Sequence, residues 1–367
     1  MSAFGSSSSP RAIPVRYWWR IPFWALALAT GAKSFVDNPV LGSRWLNRRG
    51  LHAARARLAH ALAASRRRRL AAALPVDLRE QFDRNGFILI KNVLPKKEFA
   101  ELRQGLLGAE FRCRSHLQGD TLTSRVPVGT EMLDALPALR SLLGDRVWRS
   151  AMAYVSTFKA RPLYYLQAIA GGISVGPPDP QIQLHADTFH PSMKSWLFLT
   201  DVDENDRPLT YVAGSHVLTP QRLAWERRLS QTVLDSDDRL SQRGSFRVSA
   251  EDLAEMGLPE PTRFCVDANT LVVVDTCGFH ARSDSPRSSL RVELWAYSRR
   301  SPFIPWLGLD LFTRFPRADG RAEWLAQALD WLDRLGWAKQ HWKRARPWNS
   351  VVAEAKATRL TRQSEKS

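Results

Sequence analysis

From Leu163 to Ser298 the chain is a succession of short runs, alternating or continuously apolar, each bounded by turn residues. The runs are Leu163–Ala168, Ile182–Asp187, Lys194–Val202, Leu209–Val212, Phe264–Val266, Thr270–Asp275, Gly278–Arg282 and Leu290–Ser298. Gly171-Gly172, Gly176-Pro177-Pro178, Asp203-Glu204-Asn205-Asp206 and Ser283–Ser288 punctuate them, and these residue types favour turns over strands. Eight short strands fit a double-sheet jelly roll of the cupin type. One long interruption, 218–258, holds a helix at Gln221–Leu229 and a polar stretch. A segment of that length over a barrel mouth is expected to be a lid or substrate-specificity element.

The preceding region, 77–160, reads as mixed. Helices are expected at Asp77–Asp83, Lys96–Leu107, Leu136–Leu143 and Val147–Tyr154, with a strand at Phe87–Lys91. These helices should pack against the sheet and contribute no chemistry. After Pro305, Trp324, Ala328, Trp331 and Leu335 recur at helical spacing, and Gly336 is placed to stop the helix. Trp337, Trp342 and Trp348 follow among basic residues, expected to pack this tail onto the body, with a membrane-surface contact as the sharper alternative. The fold class is therefore α+β: a double-stranded β-helix (cupin-type jelly roll) over 76–303, with supporting helices. Basic helical extensions flank it at 1–75 and 304–367.

The net charge of +17 is unevenly spread. Residues 1–70 carry thirteen Lys or Arg against a single acid, Asp37, and residues 338–367 carry eight against two. Residues 71–337 hold thirty-two against thirty-three. An enzyme working on nucleic acid would line its cleft with the basic excess, because phosphate contacts dominate affinity. Here the excess lies in the tails, so nucleic acid is disfavoured as a partner, and an anionic membrane surface is expected to meet residues 16–70. Three cysteines (Cys113, Cys265, Cys277) without metal-ligand spacing fit a reducing compartment.

Within the first extension, residues 1–15 are Ser-rich and expected to be disordered. Tyr17-Trp18-Trp19-Arg20-Ile21-Pro22-Phe23-Trp24 follows. Its uncharged run, Ile21 to Ala32, falls short of the ~20 residues that span a bilayer. Tryptophans beside arginines suit the headgroup region, with a strap packed on the domain as the plainer reading. A secretory signal peptide is disfavoured. Leu51 to Leu74 reads as a helix whose apolar face is Leu51, Ala54, Leu58, Ala61 and Leu62, with Arg55, Arg57 and Arg66–Arg69 elsewhere. The expected location is cytoplasmic, peripheral at the inner face of the membrane.

The chemistry is carried by Gln183-Leu184-His185-Ala186-Asp187 and Gly278-Phe279-His280. His-x-Asp on an extended segment projects both side chains to one face. A distant histidine on another strand can complete two imidazoles and a carboxylate on one side of a metal, the open arrangement of non-haem Fe(II) oxygenases. Arg291 lies eleven residues beyond His280 in an alternating segment.

With Phe87–Leu94, Trp196–Val202 and Tyr211-Val212-Ala213-Gly214-Ser215-His216 in the same order, the sequence resembles the phytanoyl-CoA dioxygenase family of Fe(II)- and 2-oxoglutarate-dependent oxygenases across roughly 77–300. The resemblance implies that His185, Asp187 and His280 ligate Fe(II) and that Arg291 anchors the distal carboxylate of 2-oxoglutarate. A bidentate guanidinium–carboxylate pair suits that task. Lys194 and Trp196, with Lys159 and Thr200, are near enough in sequence to help seat the cosubstrate. His190 and His216 are not expected to be ligands. Two departures from the family pattern are Asp206-Arg207-Pro208 and Arg282, the latter either a further carboxylate contact or outward-facing. The implied activity is hydroxylation of a small-molecule or lipid-linked substrate, with 2-oxoglutarate converted to succinate and carbon dioxide. The alternatives are a non-catalytic metal-binding sensor or scaffold and an oxygenase acting on nucleic acid.

Overall fold

The structure is a computed structural model that describes residues 15–159, 161–172, 176–285, 287–306 and 321–353. The expected disorder of the Ser-rich start, and parts of the C-terminal extension, lie outside the described residues. The described residues form eleven strands: β1 (Phe87–Ile90), β2 (Arg114–Gln118), β3 (Thr121–Pro127), β4 (Leu163–Gly171), β5 (Met193–Phe198), β6 (Leu209–Tyr211), β7 (Thr262–Arg263), β8 (Leu271–Asp275), β9 (His280–Arg282), β10 (Ser289–Ser298) and β11 (Lys343–Arg344). Eight form one antiparallel sheet, in the order β1-β8-β5-β10-β4-β3-β2-β11, and β7-β6-β9 form a smaller one. The α+β, cupin-type architecture expected from the sequence is the one found.

The period of two sorts the large sheet into faces. On β5, Met193, Ser195 and Leu197 face the helices, where Trp148 of the helix Arg146–Ser156 donates its indole N–H to Ser195 Oγ at 3.0 Å. Lys194, Trp196 and Phe198 face the other way, toward the small sheet. Trp196, Phe198, Tyr211, Phe264, Val272 and Trp295 close the space between the sheets. That layering supplies the apolar floor on which the site stands.

Two expected strands are not strands. Ile182–Asp187 is held by isolated bridges of His185 to His280 and to Arg247, because its neighbours on either side diverge after one pair. Phe264–Val266 contributes one bridge, Val202 to Val266, and the regular pairing lies earlier, at Thr262–Arg263. The β2–β3 hairpin was not expected at all. Its residues are polar on both faces and offer little hydrophobic alternation to read.

The N-terminal extension is woven into the body. Its helix Leu51–Leu70 packs against the helices Arg146–Ser156 and Pro220–Thr232. The buried face is not the expected leucine face, since Ala54, Leu58 and Ala61 are exposed. Ala53, Ala56, Ala59 and Ala63 are buried instead, with Arg55 and Arg66 among them. Alanines let the helix approach closely, and each buried guanidinium is bound by carbonyls, with a hydroxyl added at Arg66. Arg66 donates to Pro302 O, Ile304 O and Thr157 Oγ1. The segment 218–258 is likewise packed, with Trp225 and Phe246 in a cluster that includes Phe35 of the extension and Phe279. In the C-terminal extension Trp348 is fully buried and donates to Leu106 O at 2.9 Å. Trp337, expected to pack, is more than half exposed, as are Trp324 and Trp331 of the preceding helix. No helix among the described residues is long and apolar enough to cross a membrane.

Candidate metal centre

His185, Asp187 and His280 converge, with one ligand atom of each within 4.8 Å of the others. His185 Nε2 lies 3.7 Å and His280 Nε2 3.6 Å from Asp187 Oδ1. The backbone brings them together: His185 and His280 exchange both main-chain hydrogen bonds, each 3.0 Å, which sets their rings 4.6 Å apart. Asp187 N donates to Thr276 O, holding the carboxylate beside the pair.

The tautomers follow from the contacts. His185 Nδ1 faces Gln183 O at 2.7 Å, and His280 Nδ1 faces Gly278 O at 3.0 Å. A carbonyl only accepts, so each Nδ1 carries the proton and each Nε2 keeps its lone pair. His280 Nε2 is buried without a hydrogen-bond partner, an expense that a metal ion between the three groups would relieve. Burial also lowers both imidazoles, His185 well below its ordinary pKa and His280 to about 4, which keeps them neutral and able to ligate. Burial pushes the Asp187 carboxyl up, but the charge and hydrogen bond of the Lys194 ammonium hold it well below the usual carboxylate range. Two neutral nitrogens and an anionic oxygen gathered on one side of a point suit Fe(II).

The turn before His280 is built tightly. An added Cβ at Gly278 would sit 2.0 Å from Tyr211 Oη, so only glycine admits the tyrosine there. Tyr211 donates to Asp275 O at 2.9 Å. The fully buried Asp275 accepts from Ser192 N and Cys277 N with one oxygen and from Arg67 Nη2 at 2.8 Å with the other.

A cavity of about 360 Å³ opens at the three ligand atoms. Of the cosubstrate residues expected from sequence, Arg291, Lys194 and Trp196 line it. Lys194 Nζ lies 2.6 Å from Asp187 Oδ2, so its ammonium steadies the carboxylate whose other oxygen faces the histidines. Arg291 is buried, with Nε 2.7 Å from Glu293 and Nη1 donating to Arg207 O at 2.7 Å. Thr200 accepts from Val292 N on the neighbouring strand. Lys159 lies elsewhere, in a separate groove of about 550 Å³ that contains none of the candidate ligands. His190 and His216 are buried outside the trio.

Both sequence departures have structural roles. Arg207 makes a bidentate contact with Asp120 and a third bond to Thr121 Oγ1, and its carbonyl positions Arg291. Arg282 points inward and pairs with Asp179. Sequence reading missed Arg125, Gln167 and Glu293. These are directly paired across β3, β4 and β10, with Arg125 donating to Gln167 Oε1 and Gln167 to Glu293 Oε1. It also missed Lys33, which the extension brings to the cavity and which donates to Asp187 O. Burial lowers the Lys33 ammonium to about 8. Nothing local in the sequence marks these residues, because strand pairing and chain crossing assemble them.

The model of the phytanoyl-CoA dioxygenase (PhyH) family matches residues 82–245. Among solved structures the chain is similar to the epimerase SnoN in complex with Fe3+, alpha ketoglutarate and nogalamycin RO, at 18% identity over 62% of this chain and 83% of that one, TM-score 0.40. It is similar to the carbocyclase SnoK from nogalamycin biosynthesis at 16%, covering 62% and 84%, TM-score 0.39. For HygX from Streptomyces hygroscopicus with nickel and 2-oxoglutarate bound, the values are 18%, 61%, 85% and 0.38. No curated protein sequence matches the chain. At such identities and TM-scores it is the family match that carries weight.

Proposed function

We propose that the chain, whose residues 82–245 match the model of the phytanoyl-CoA dioxygenase family, is a non-haem Fe(II)- and 2-oxoglutarate-dependent enzyme that hydroxylates a small-molecule or lipid-linked substrate at a centre held by His185, Asp187 and His280. The observation that carries this reading is the orphaned Nε2 of His280, set by the Gly278 carbonyl to face Asp187 and the second imidazole. Iron bound there would let dioxygen act as the oxidant, one oxygen atom entering the substrate C–H bond and the other the succinate formed from 2-oxoglutarate with loss of carbon dioxide.

The chain's own residues bind and orient. His185 and His280 present lone pairs fixed by backbone carbonyls, and Asp187 presents the oxygen that Lys194 leaves available. A carboxylate at position 187 fills the place a halide would need, which favours hydroxylation over halogenation. Arg291 is proposed to receive the distal carboxylate of 2-oxoglutarate, its plane oriented by Glu293 and the Arg207 carbonyl. Trp196 and Trp295, paired across β5 and β10, narrow the cavity and exclude water from the reacting centre, strengthening each charge contact there.

Reconstitution with Fe(II) and 2-oxoglutarate without oxygen should give a weak visible charge-transfer band. Admission of oxygen should then give slow uncoupled succinate formation. Both should disappear in His185→Ala. A metal-binding sensor would bind iron without the band or succinate, and that outcome in the wild-type protein would overturn the enzymatic reading.

A membrane surface is the proposed second partner. Trp18, Trp19, Phe23 and Leu26 are all more than half exposed, and the Arg20 guanidinium lies 5.0 Å from the Trp19 ring. Exposed indoles beside cations suit an anionic headgroup layer. The full-length protein should float with anionic liposomes and not with neutral ones; failure to float with either removes this reading.

A further inference from the structure

The cavity is more cationic than its iron chemistry requires. Lys33, Arg125, Lys194, Arg282, Arg291 and Arg299 line it, and among the described residues Asp187 is the only carboxylate residue that does. Lys194 is paired with Asp187, Arg282 with Asp179 and Arg291 with Glu293. Lys33, Arg125 and Arg299 face no carboxylate within ion-pair distance among the described residues. An Fe(II) ion and a 2-oxoglutarate dianion cancel each other, so loading the site leaves this excess of three in place.

The three fall into two groups. Arg125 lies between two rings, 3.9 Å from the Trp295 centroid and 4.4 Å from that of Trp342, and feels Arg282 and Glu293, at the Arg291 end of the cavity. Lys33 lies instead in the field of Asp187, Arg299 and Lys194, beside the candidate metal ligand. An ammonium has three N–H donors, and the Asp187 carbonyl engages Lys33 only as a single acceptor.

Lys33 is also placed with unusual firmness for a residue outside the jelly roll. Arg55 donates to the carbonyls of Leu28, Thr30 and Ala32. The amides of Phe35 and Val36 both donate to Gln242 O. A Cβ at Gly244 would meet the Lys33 carbonyl oxygen at 2.2 Å, and Gly244 has a φ of +78° that an L side chain rarely adopts. The strap is therefore clamped on both sides of the lysine, between the helix Leu51–Leu70 and the 218–258 segment.

We propose that Lys33 and Arg299 form a substrate-anion subsite at the metal end of the cavity, so that the substrate is a small molecule bearing a phosphate ester or a carboxylate. The N-terminal extension thereby supplies a specificity-determining residue to a centre whose candidate ligands lie elsewhere. This inference rests on the proposed function for its assignment of Arg291 to 2-oxoglutarate, and its test does not pass through turnover.

The test is calorimetric titration of the metal-free full-length protein with phenyl phosphate and with phenylacetate, phenol being the uncharged control. Saturable binding of one or both anions is expected, the tighter one naming the group, with phenol at least ten-fold weaker, about the worth of one charge-assisted hydrogen bond. Lys33→Met and the exposed-site variant Arg299→Gln should each weaken anion binding by about ten-fold, and Lys33→Arg should restore most of it. Arg291→Gln should leave anion binding in place. The subsite is overturned if neither anion saturates, if phenol binds as tightly, if Lys33→Met and Arg299→Gln bind like wild type, or if the loss follows Arg291→Gln instead. Arg299→Gln alone decides the matter should Lys33→Met fail to fold. Failure of the enzymatic reading shows separately, as absence of the 2-oxoglutarate band in wild type.

Discussion

Lys194 acts on the candidate metal centre one atom removed, through the oxygen of Asp187 that does not face the histidines. Lys194→Met is expected to release that carboxylate to turn and to lower anaerobic Fe(II) affinity by roughly ten-fold, as removal of a ligand's orienting partner commonly does. An unchanged Fe(II) titration would show that Lys194 has no such role. Arg207 stands in the same relation to Arg291. Its fork on Asp120 fixes the carbonyl that Arg291 Nη1 uses. Arg207→Lys should raise the KM for 2-oxoglutarate several-fold while kcat holds, because lysine cannot reproduce the bidentate contact. At this scale the sequence was readable where the chemistry is local. His185 and Asp187 are two residues apart, and Arg291 sits at a fixed interval from His280. Lys33, Arg125 and Gln167 come from three separate stretches, and only strand register and the path of the extension bring them to one cavity.

The helix Leu51–Leu70 shows why its face was misread. Leucines suggested the buried side, yet close packing against two helices selected alanines, and the two buried arginines found carbonyl partners instead of water. The neighbouring Arg67 ties this helix to the turn that carries His280, through Asp275. Arg67→Met leaves a fully buried carboxylate without its cation and is expected to cost about 3–5 kcal/mol in urea unfolding; a loss under ~1 kcal/mol would mean the turn is held by its amides alone. Glu226 joins the same helix to Pro220–Thr232, with His52 Nε2 at 2.7 Å and Arg222 beside it. Burial raises the Glu226 carboxyl, but Arg222 and the His52 hydrogen bond more than offset this and bring it down to about 2. A depressed carboxylate stabilises the fold above its unfolded pKa of roughly 4.3, and that stability is lost as pH falls toward the folded value. Melting temperature should therefore drop between about pH 5 and pH 2, and Glu226→Gln should flatten that drop.

For the whole molecule, the neutral middle and basic ends of the sequence suggested a body with appended tails. The body was legible, since strand runs and turn residues are short-range signals. The integration of the first extension was not, because a packed helix and a free basic helix can share one composition. The two halves of that extension should consequently behave differently. Removal of residues 1–26 should leave the urea midpoint unchanged and abolish liposome flotation. Removal of residues 1–75 should yield no cooperative unfolding transition, since Arg55, Arg66, Arg67 and the buried alanines go with it. A stable, cooperative 76–367 fragment would show the extension to be dispensable for folding.

Each of the two histidines takes its orientation from a carbonyl two positions earlier in its own segment, Gln183 for one and Gly278 for the other. Ring direction is thus encoded in main chain, and no neighbouring side chain is needed to hold it. Residues around the cavity can then be exchanged to admit other molecules while the imidazoles keep their aim, which makes this wall, rather than the three candidate ligands, the place to begin redesigning what the protein accepts.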